Sequence, residues 1–196
     1  MTKKKEEEKI EFPEIYTVVG ADLSLTRPGF AVFEMKEGIP KLIKCVSVDN
    51  KTKKNKTHGQ ILHEIERAFC DEVFPIDMGM VKTPLFLVRE KEIMHMKVPS
   101  ERSVTKTVGV MDLLAYMIFI LFKDKKKFDG IWHEIYPVTV KKLITGSGKA
   151  EKSEVADALE HYVGKQEYKC DDESDAVAVV LAWLIQQGQI KQKEIT

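Results

Sequence analysis

The chain has 196 residues, of which 43% are hydrophobic, so it holds enough apolar material for a core of its own and wholesale disorder is excluded. Thirty-one basic residues balance 31 acidic ones, and zero net charge excludes a protein that holds nucleic acid through total charge alone. Cys45, Cys70 and Cys170 lie far apart with no zinc-type spacing, and no apolar leader opens the chain, which fits a reducing cytoplasmic setting.

Residues 1–14 read as a charged, flexible tail and residues 15–190 as one domain. The run YTVVGADLSL (16–25) is β-rich, GFAVFEM (29–35) follows it, and KLIKCVSVD (41–49) alternates like a half-buried strand. Three short strands joined by tight turns predict an antiparallel meander. After a basic loop, HGQILHEIERAFCDEVF places Ile61, Leu62, Ile65, Phe69 and Val73 at helical spacing. TPLFLVRE (83–90) is a short apolar strand of the buried, parallel kind.

A long helix is predicted over 103–122, and from Val108 to Phe122 it is apolar apart from Asp112. That stretch is shorter than the ~20 residues of a membrane span. It is expected as a buried central helix that also covers a partner, with no membrane involved. FDGIWHEIYP suggests a fifth strand, and VTVKKLI leads into the loop TGSGKAEK. KSEVADALEHYV is an amphipathic helix capped at or near Ser153, and a last helix runs from about Ser174 to Gln187. The order β-β-β-α-β-α-β-α-α predicts an α/β fold with a mixed sheet flanked by helices.

In open α/β sheets ligands gather beyond the carboxyl ends of the strands. The first strand reaches Asp22, an acid in an apolar run, and an unpaired buried carboxylate costs several kcal/mol, roughly, unless it is bonded or binds a cation. The fourth strand ends at Glu90. The last helix opens on CDDESDA, where Asp172 and Asp175 are three apart and share a face. Hard oxygen donors without a His or Cys cluster favour Mg²⁺ or Mn²⁺. Four carboxylates can hold two such ions, which clamp an in-line phosphodiester displacement. Simpler roles exist for each acid. Carboxylates at a helix start stabilise the macrodipole by ~0.3–1 kcal/mol, an Asp after a strand is often a turn residue, and Glu90 sits in a charged stretch. The combination is more specific than any member.

Four segments in order carry a family resemblance. They are GADLSLTRPGFAVFE, with Asp22 seven residues before Gly29; LFLVRE, with Glu90 nineteen residues before Gly109; EIYPVTVKKLITGSGKAEKSEV; and DDESDAVAVVLAW. From about residue 16 to 186 the chain resembles RuvC-type Holliday junction resolvases of the RNase H-like (retroviral integrase) superfamily. The third segment resembles the family's Glu, then Val-Lys, then Gly-x-Gly-x-Ala-x-Lys pattern through Glu134, Lys141, Gly146, Gly148, Ala150 and Lys152. The resemblance implies a mixed five-stranded sheet with helices on both sides. It implies Mg²⁺ or Mn²⁺, two per site, held by Asp22, Glu90, Asp172 and Asp175. It also implies a homodimer that cuts four-way DNA junctions symmetrically. Pro28 stands where the family commonly has Thr, Leu23-Ser24 replaces its Pro-Gly, and Ile93 occupies the place of an aromatic wedge. These departures bear on junction opening and sequence preference and leave the carboxylates intact.

Zero net charge is then a matter of distribution. Acids gather in the site and the tail, while basic runs stand at 51–56 and 123–127. Lysine contacts to phosphate give sequence-independent affinity, and Gly146 and Gly148 would let backbone N–H groups approach a phosphate. Lys141, Lys149 and Lys152 are expected to contact DNA, and Arg89 and Lys91, flanking Glu90, are candidates with them. Trp132 and His133 are expected as core or rim residues, and Asp171 and Glu173 as a solvated, cap-like pair. The function expected is a metal-dependent junction-resolving endonuclease of the cytoplasm, from a bacterial cell or a phage-infected host, with the long helix 103–122 pairing with its copy. A broader branch or flap nuclease and a non-cleaving junction binder are the alternatives. An actin-like ATPase or sugar kinase is excluded by length, since those need a duplicated domain.

Overall fold

The structure, a computed structural model, describes residues 10–50, 56–74, 83–92, 99–122 and 128–193; for 99–103 and Phe122 it describes the backbone alone. Five strands form one sheet: β1 (Ile15–Asp22), β2 (Gly29–Lys36), β3 (Ile39–Ser47), β4 (Leu85–Glu90) and β5 (Trp132–Ile135). Their order in space is β3-β2-β1-β4-β5. The first three make the expected antiparallel meander, and β4 and β5 add on in parallel to β1. Glu37 and Gly38, both at positive φ (51° and 75°), close the β2–β3 hairpin in the two-residue turn that suits right-twisted strands.

Helices cover both faces. On one lie α1 (His58–Ala68), which runs on into a π-helical turn over Phe69–Val73, and α2 (Pro99–Phe122). On the other lie α3 (Pro137–Thr145), α4 (Lys152–Val163) and α5 (Asp171–Gln186). The strands sort their side chains by alternation. Val19, Ala21, Leu85 and Leu87 join Ile65, Phe69, Met111 and Ile118 in one core. Tyr16, Val18 and Val88 join the other core with Val140, Val155, Ala176 and Trp183. From Ala176 to Leu184 every residue of α5 is buried, so this is the central helix of the molecule.

That role differs from the expectation, which gave the central position to the long helix. In α2, Met111, Leu114, Ala115 and Ile118 face the sheet, while Leu113, Tyr116, Met117, Ile120 and Leu121 are exposed. By length and composition Val104–Leu121 is long and apolar enough to cross a membrane, yet only 28% of that window is buried. Sheet contact therefore accounts for one stripe of α2 and leaves a second apolar stripe at the surface.

Three boundaries also move. Ile10 and Phe12, assigned to the tail, pack on the core, and the Phe12 ring lies 5.1 Å from Phe86 and 5.6 Å from Trp183. The segment VTVKKLI, expected only as the lead into a loop, forms helix α3: Pro137 at its first turn starts it, and Gly146, at φ 83°, ends it. Helix α4 is capped by Glu151 rather than near Ser153, with the Glu151 N–H donating to Glu154 Oε2 at 2.6 Å. The basic runs at 51–56 and 123–127 lie outside the described residues apart from Lys56, as does Ile93.

Two glycines let α5 settle on the sheet. A Cβ on Gly20 would fall 2.3 Å from Val180 Cγ2 and 2.6 Å from the Ala176 carbonyl oxygen. A Cβ on Gly29 would fall 2.0 Å from the Asp172 carbonyl oxygen. Backbone cannot retreat as a side-chain tip can, so Gly29→Ala is predicted to cost about 3 kcal/mol, the upper end of overpacking. Urea unfolding measures this, and a wild-type midpoint in Gly29→Ala would refute the tight seat.

Candidate active site

Strands β1 and β4 are parallel neighbours, with Ala21 beside Arg89. Asp22 and Glu90 are the next residues on each, so both acids emerge at the same end of the sheet. They also share a face, since Gly20 and Asp22 in β1 and Val88 and Glu90 in β4 alternate towards α5. In the β1–β2 ladder Asp22 is paired with Gly29, and Gly29 lies directly under the Asp172 carbonyl. Helix α5 thus starts above Asp22, and Asp172 and Asp175 arrive on its first turns.

The charges respond to this crowding. Burial first, then the charges of Glu90, Asp175 and Asp172, push the Asp22 carboxyl up to about 7, against a smaller opposing effect of Lys152. Burial and Asp175 push Glu90 up to about 7, with Lys152 and Lys141 opposing. Among the described residues neither acid has a hydrogen bond or ion pair of its own. Lys152, the first residue of α4, reaches across with its Nζ 2.5 Å from Asp175 Oδ2. Burial works against its charge, but the bond to Asp175 and the charges of Asp175, Asp22 and Asp172 outweigh that and raise its pKa. Lys141, on α3, faces Glu90 and donates to the Ala150 carbonyl at 2.7 Å. Four carboxylates and two lysines therefore meet at the carboxyl end of the sheet. Among the described residues no three acidic, His or Cys side chains are already drawn close enough to grip an ion. Asp175 is turned to Lys152.

The remaining predicted residues are less alike. Arg89 is only 8% exposed and lies on the opposite face of the sheet from Glu90. Its Nη1 donates to Asp112 Oδ1 at 2.6 Å, and its Nε and Nη2 to Glu134 Oε1 at 3.3 and 3.0 Å. A buried guanidinium holding two carboxylates is not offered to a phosphate, so the expectation of DNA contact at Arg89 is corrected: it joins β4, β5 and α2. Lys91 stays at the surface, 3.7 Å from Glu134. Lys149 is exposed on the loop between α3 and α4. Gly146 spends its N–H on the Lys142 carbonyl as the helix cap, so that amide is not available to a phosphate. Gly148 sits against Val138, where a Cβ would come within 3.0 Å of Cγ1. Trp132 is buried and donates through its indole N–H to the Met111 carbonyl at 3.0 Å, as a core residue should.

Glu173 is the residue that sequence reasoning misplaced. It was expected in solvent with Asp171; Asp171 is exposed, but Glu173 is 2% exposed. Its carboxylate accepts from the Ser47 hydroxyl at 2.8 Å and from the Lys169 backbone N–H at 2.9 Å. It pins the start of α5 to the end of β3. The helix begins at Asp171, three residues earlier than expected, so Glu173 lies within it, on the face of the buried Ala176, Val177 and Val180. A strict helical count from Asp171 was the one signal available.

Known proteins give the arrangement a context. The crossover junction endodeoxyribonuclease RuvC of Prochlorococcus marinus subsp. pastoris is 31% identical to the chain over 175 residues, covering 87% of the chain and 98% of that protein. The chain belongs to the RuvC family. A second Prochlorococcus marinus RuvC, from strain MIT 9312, is 27% identical over the same share of each. Thermus thermophilus RuvC in complex with a Holliday junction substrate superposes with a TM-score of 0.66 at 19% identity, over 85% of the chain and 92% of that structure. Fowlpox virus resolvase with Holliday junction DNA gives 0.51 at 14% identity, over 87% and 97%. At these identities the two structures establish the fold, the mixed five-stranded sheet of the RuvC and RNase H-like class. No family profile matches the chain.

The raised carboxyls give this RuvC-family site a measurable pH signature. Folded Asp22 keeps its proton up to about pH 7, whereas an unfolded Asp releases it near ~4. Between those values the folded state binds more protons, so this contribution to stability is present at acid pH and is lost as pH rises through about 7. In chelating buffer, wild type should lose stability relative to Asp22→Asn between these limits. Paired thermal melts check it, and a pH-independent gap between the two proteins would contradict it.

Proposed function

We propose that the chain is a divalent-cation-dependent endodeoxyribonuclease that resolves four-way DNA junctions by paired cleavage within a homodimer. The meeting of Asp22, Glu90, Asp172 and Asp175 beside Lys152 and Lys141 carries this reading. Two of these carboxyls are held near neutrality without a bonded partner, which is an environment that suits a hard cation and little else. Membership of the RuvC family supports the same conclusion, since its named relatives are crossover junction endodeoxyribonucleases.

On this reading Asp22, Glu90, Asp172 and Asp175 hold Mg²⁺ or Mn²⁺. Bound there, the cations supply an activated water and stabilise the leaving oxygen of the phosphodiester. The chain's own residues set the conditions. The rigid ends of β1 and β4 fix two carboxylates, and the first turns of α5 add two more. Lys152 stands in for a cation at Asp175, and cation binding at that carboxylate competes with it. Lys141, tied to Ala150, holds a positive charge beside Glu90 where a phosphate must enter. Lys149 lies open on the adjoining loop and Lys91 at the end of β4, as phosphate contacts would require. The exposed stripe of Leu113, Tyr116, Met117 and Ile120 on α2 supports pairing of that helix with its copy.

Asp22→Asn should abolish cutting of a four-way junction in Mg²⁺ while leaving junction binding within about twofold of wild type. The variant is nearly isosteric and removes only charge. Gel-resolved cleavage and binding measured side by side decide it, and full cleavage by the variant would sink the assignment. A comparison of four-way, three-way and flap DNA addresses substrate range. Faster cutting of flaps than of four-way junctions would favour a generalist branch nuclease.

A further inference from the structure

We infer that the ring of Tyr136 is a stacking platform for an unstacked base of branched DNA, next to the backbone that the carboxylates face. The inference rests on the nuclease reading above and adds a base-binding element to a site so far described by charge alone.

Position comes first. Strand β5 ends at Ile135, which lies opposite Glu90, and the Lys91 N–H donates to the Ile135 carbonyl at 2.8 Å. Tyr136 is therefore the first residue past the paired ends of β4 and β5, at the same end of the sheet as Asp22 and Glu90. Its backbone is held. It caps α3 in an extended conformation, its carbonyl accepts from the Thr139 and Val140 N–H groups, and Pro137 follows. The cap uses no side chain, so the ring has no part in it.

The ring itself is open to solvent on a fixed backbone. Tyr136 is 53% exposed, and among the described residues its hydroxyl makes no hydrogen bond. The Lys91 ammonium lies 5.0 Å from the ring centroid and 3.7 Å from Glu134 Oε2, so one side of the ring is steadied by a cation that is itself anchored. Val138, 60% exposed, extends the apolar surface along the first turn of α3. Lys141 follows on the same helix and Lys149 on the next loop. An exposed aromatic on a fixed backbone, with a lysine over one side of the ring, matches a polyanion that also presents flat apolar faces. Nucleobases have that chemistry, and stacking on such a ring is tolerant of sequence.

Fluorescence anisotropy of a labelled four-way junction, in chelator so that the DNA stays whole, tests this across a salt series. Tyr136→Ala should bind about tenfold more weakly, while Tyr136→Phe and Tyr136→Trp bind as wild type. Stacking releases no counterions, so the slope of log affinity on log salt should be unchanged in Tyr136→Ala, whereas Lys91→Ala should reduce it by about 1. Wild-type affinity in Tyr136→Ala, or an equal loss in Tyr136→Phe, would overturn the inference and leave the nuclease reading standing. So would a shift of oligomeric state in Tyr136→Ala, since the ring would then cover a protein. Failure of the wild-type chain to bind the junction would remove both.

Discussion

The architecture depends on how closely α5 approaches β1 and β2. Gly20 and Gly29 have no Cβ, and at each the helix backbone occupies the space a Cβ would need. This contact serves two ends at once. It buries the run from Ala176 to Leu184 on the sheet, and it sets the first turn of the same helix over the end of β1. Core packing and site assembly are thus one event, because the helix that seals the core also delivers Asp172 and Asp175. Glu173 adds a second fastening through Ser47 and Lys169, so the helix start is held by a buried carboxylate as well as by contact.

The site accumulates charge that the fold alone does not neutralise. Two carboxyls at strand ends, partly out of water and facing two more, repel one another, and burial raises the cost. Lys152 and Lys141 offset part of it from the loop and helices that follow β5. On the far face of the sheet Arg89 does the opposite job. Its charge is taken up by Glu134 and Asp112, and it ties the carboxyl end of β4 to β5 and to α2. One strand thus carries adjacent residues in opposite settings, Arg89 paired with two carboxylates and Glu90 facing the other acids, because alternation sends them to opposite faces.

Much of the site was legible in the chain. Asp22, Glu90, Asp172 and Asp175 stand out as acids at the margins of apolar segments, and the spacing of Asp172 and Asp175 places them on one helical face. The meander, the parallel strands and the long helix follow from alternation and apolar runs. The expected order of burial for the two longest apolar helices did not hold. Residue hydrophobicity reports that a face must be covered but not by what, and α2 and α5 look alike on that measure. Arg89 was misjudged for a related reason. Its neighbour Glu90 pointed to the site, but the partners that claim Arg89 are 23 and 45 positions away. Glu173 was misjudged because a helix start at Ser174 left it outside the helix; within α5 it shares a face with the buried Ala176, Val177 and Val180.

The sequence by itself determined the five strands, most of the helices and which acids could meet, because periodicity and spacing are local properties of the chain, and its four motif segments carried the family resemblance. Tertiary structure alone decided which helix is central, which lysine is spent on a carboxylate and which remains at the surface. It also decided that Tyr136 stands open just past the end of β5, with Lys91 over its ring. Those outcomes depend on contacts between residues far apart in the chain, where close approach, burial and charge compensation are settled only when the elements pack together.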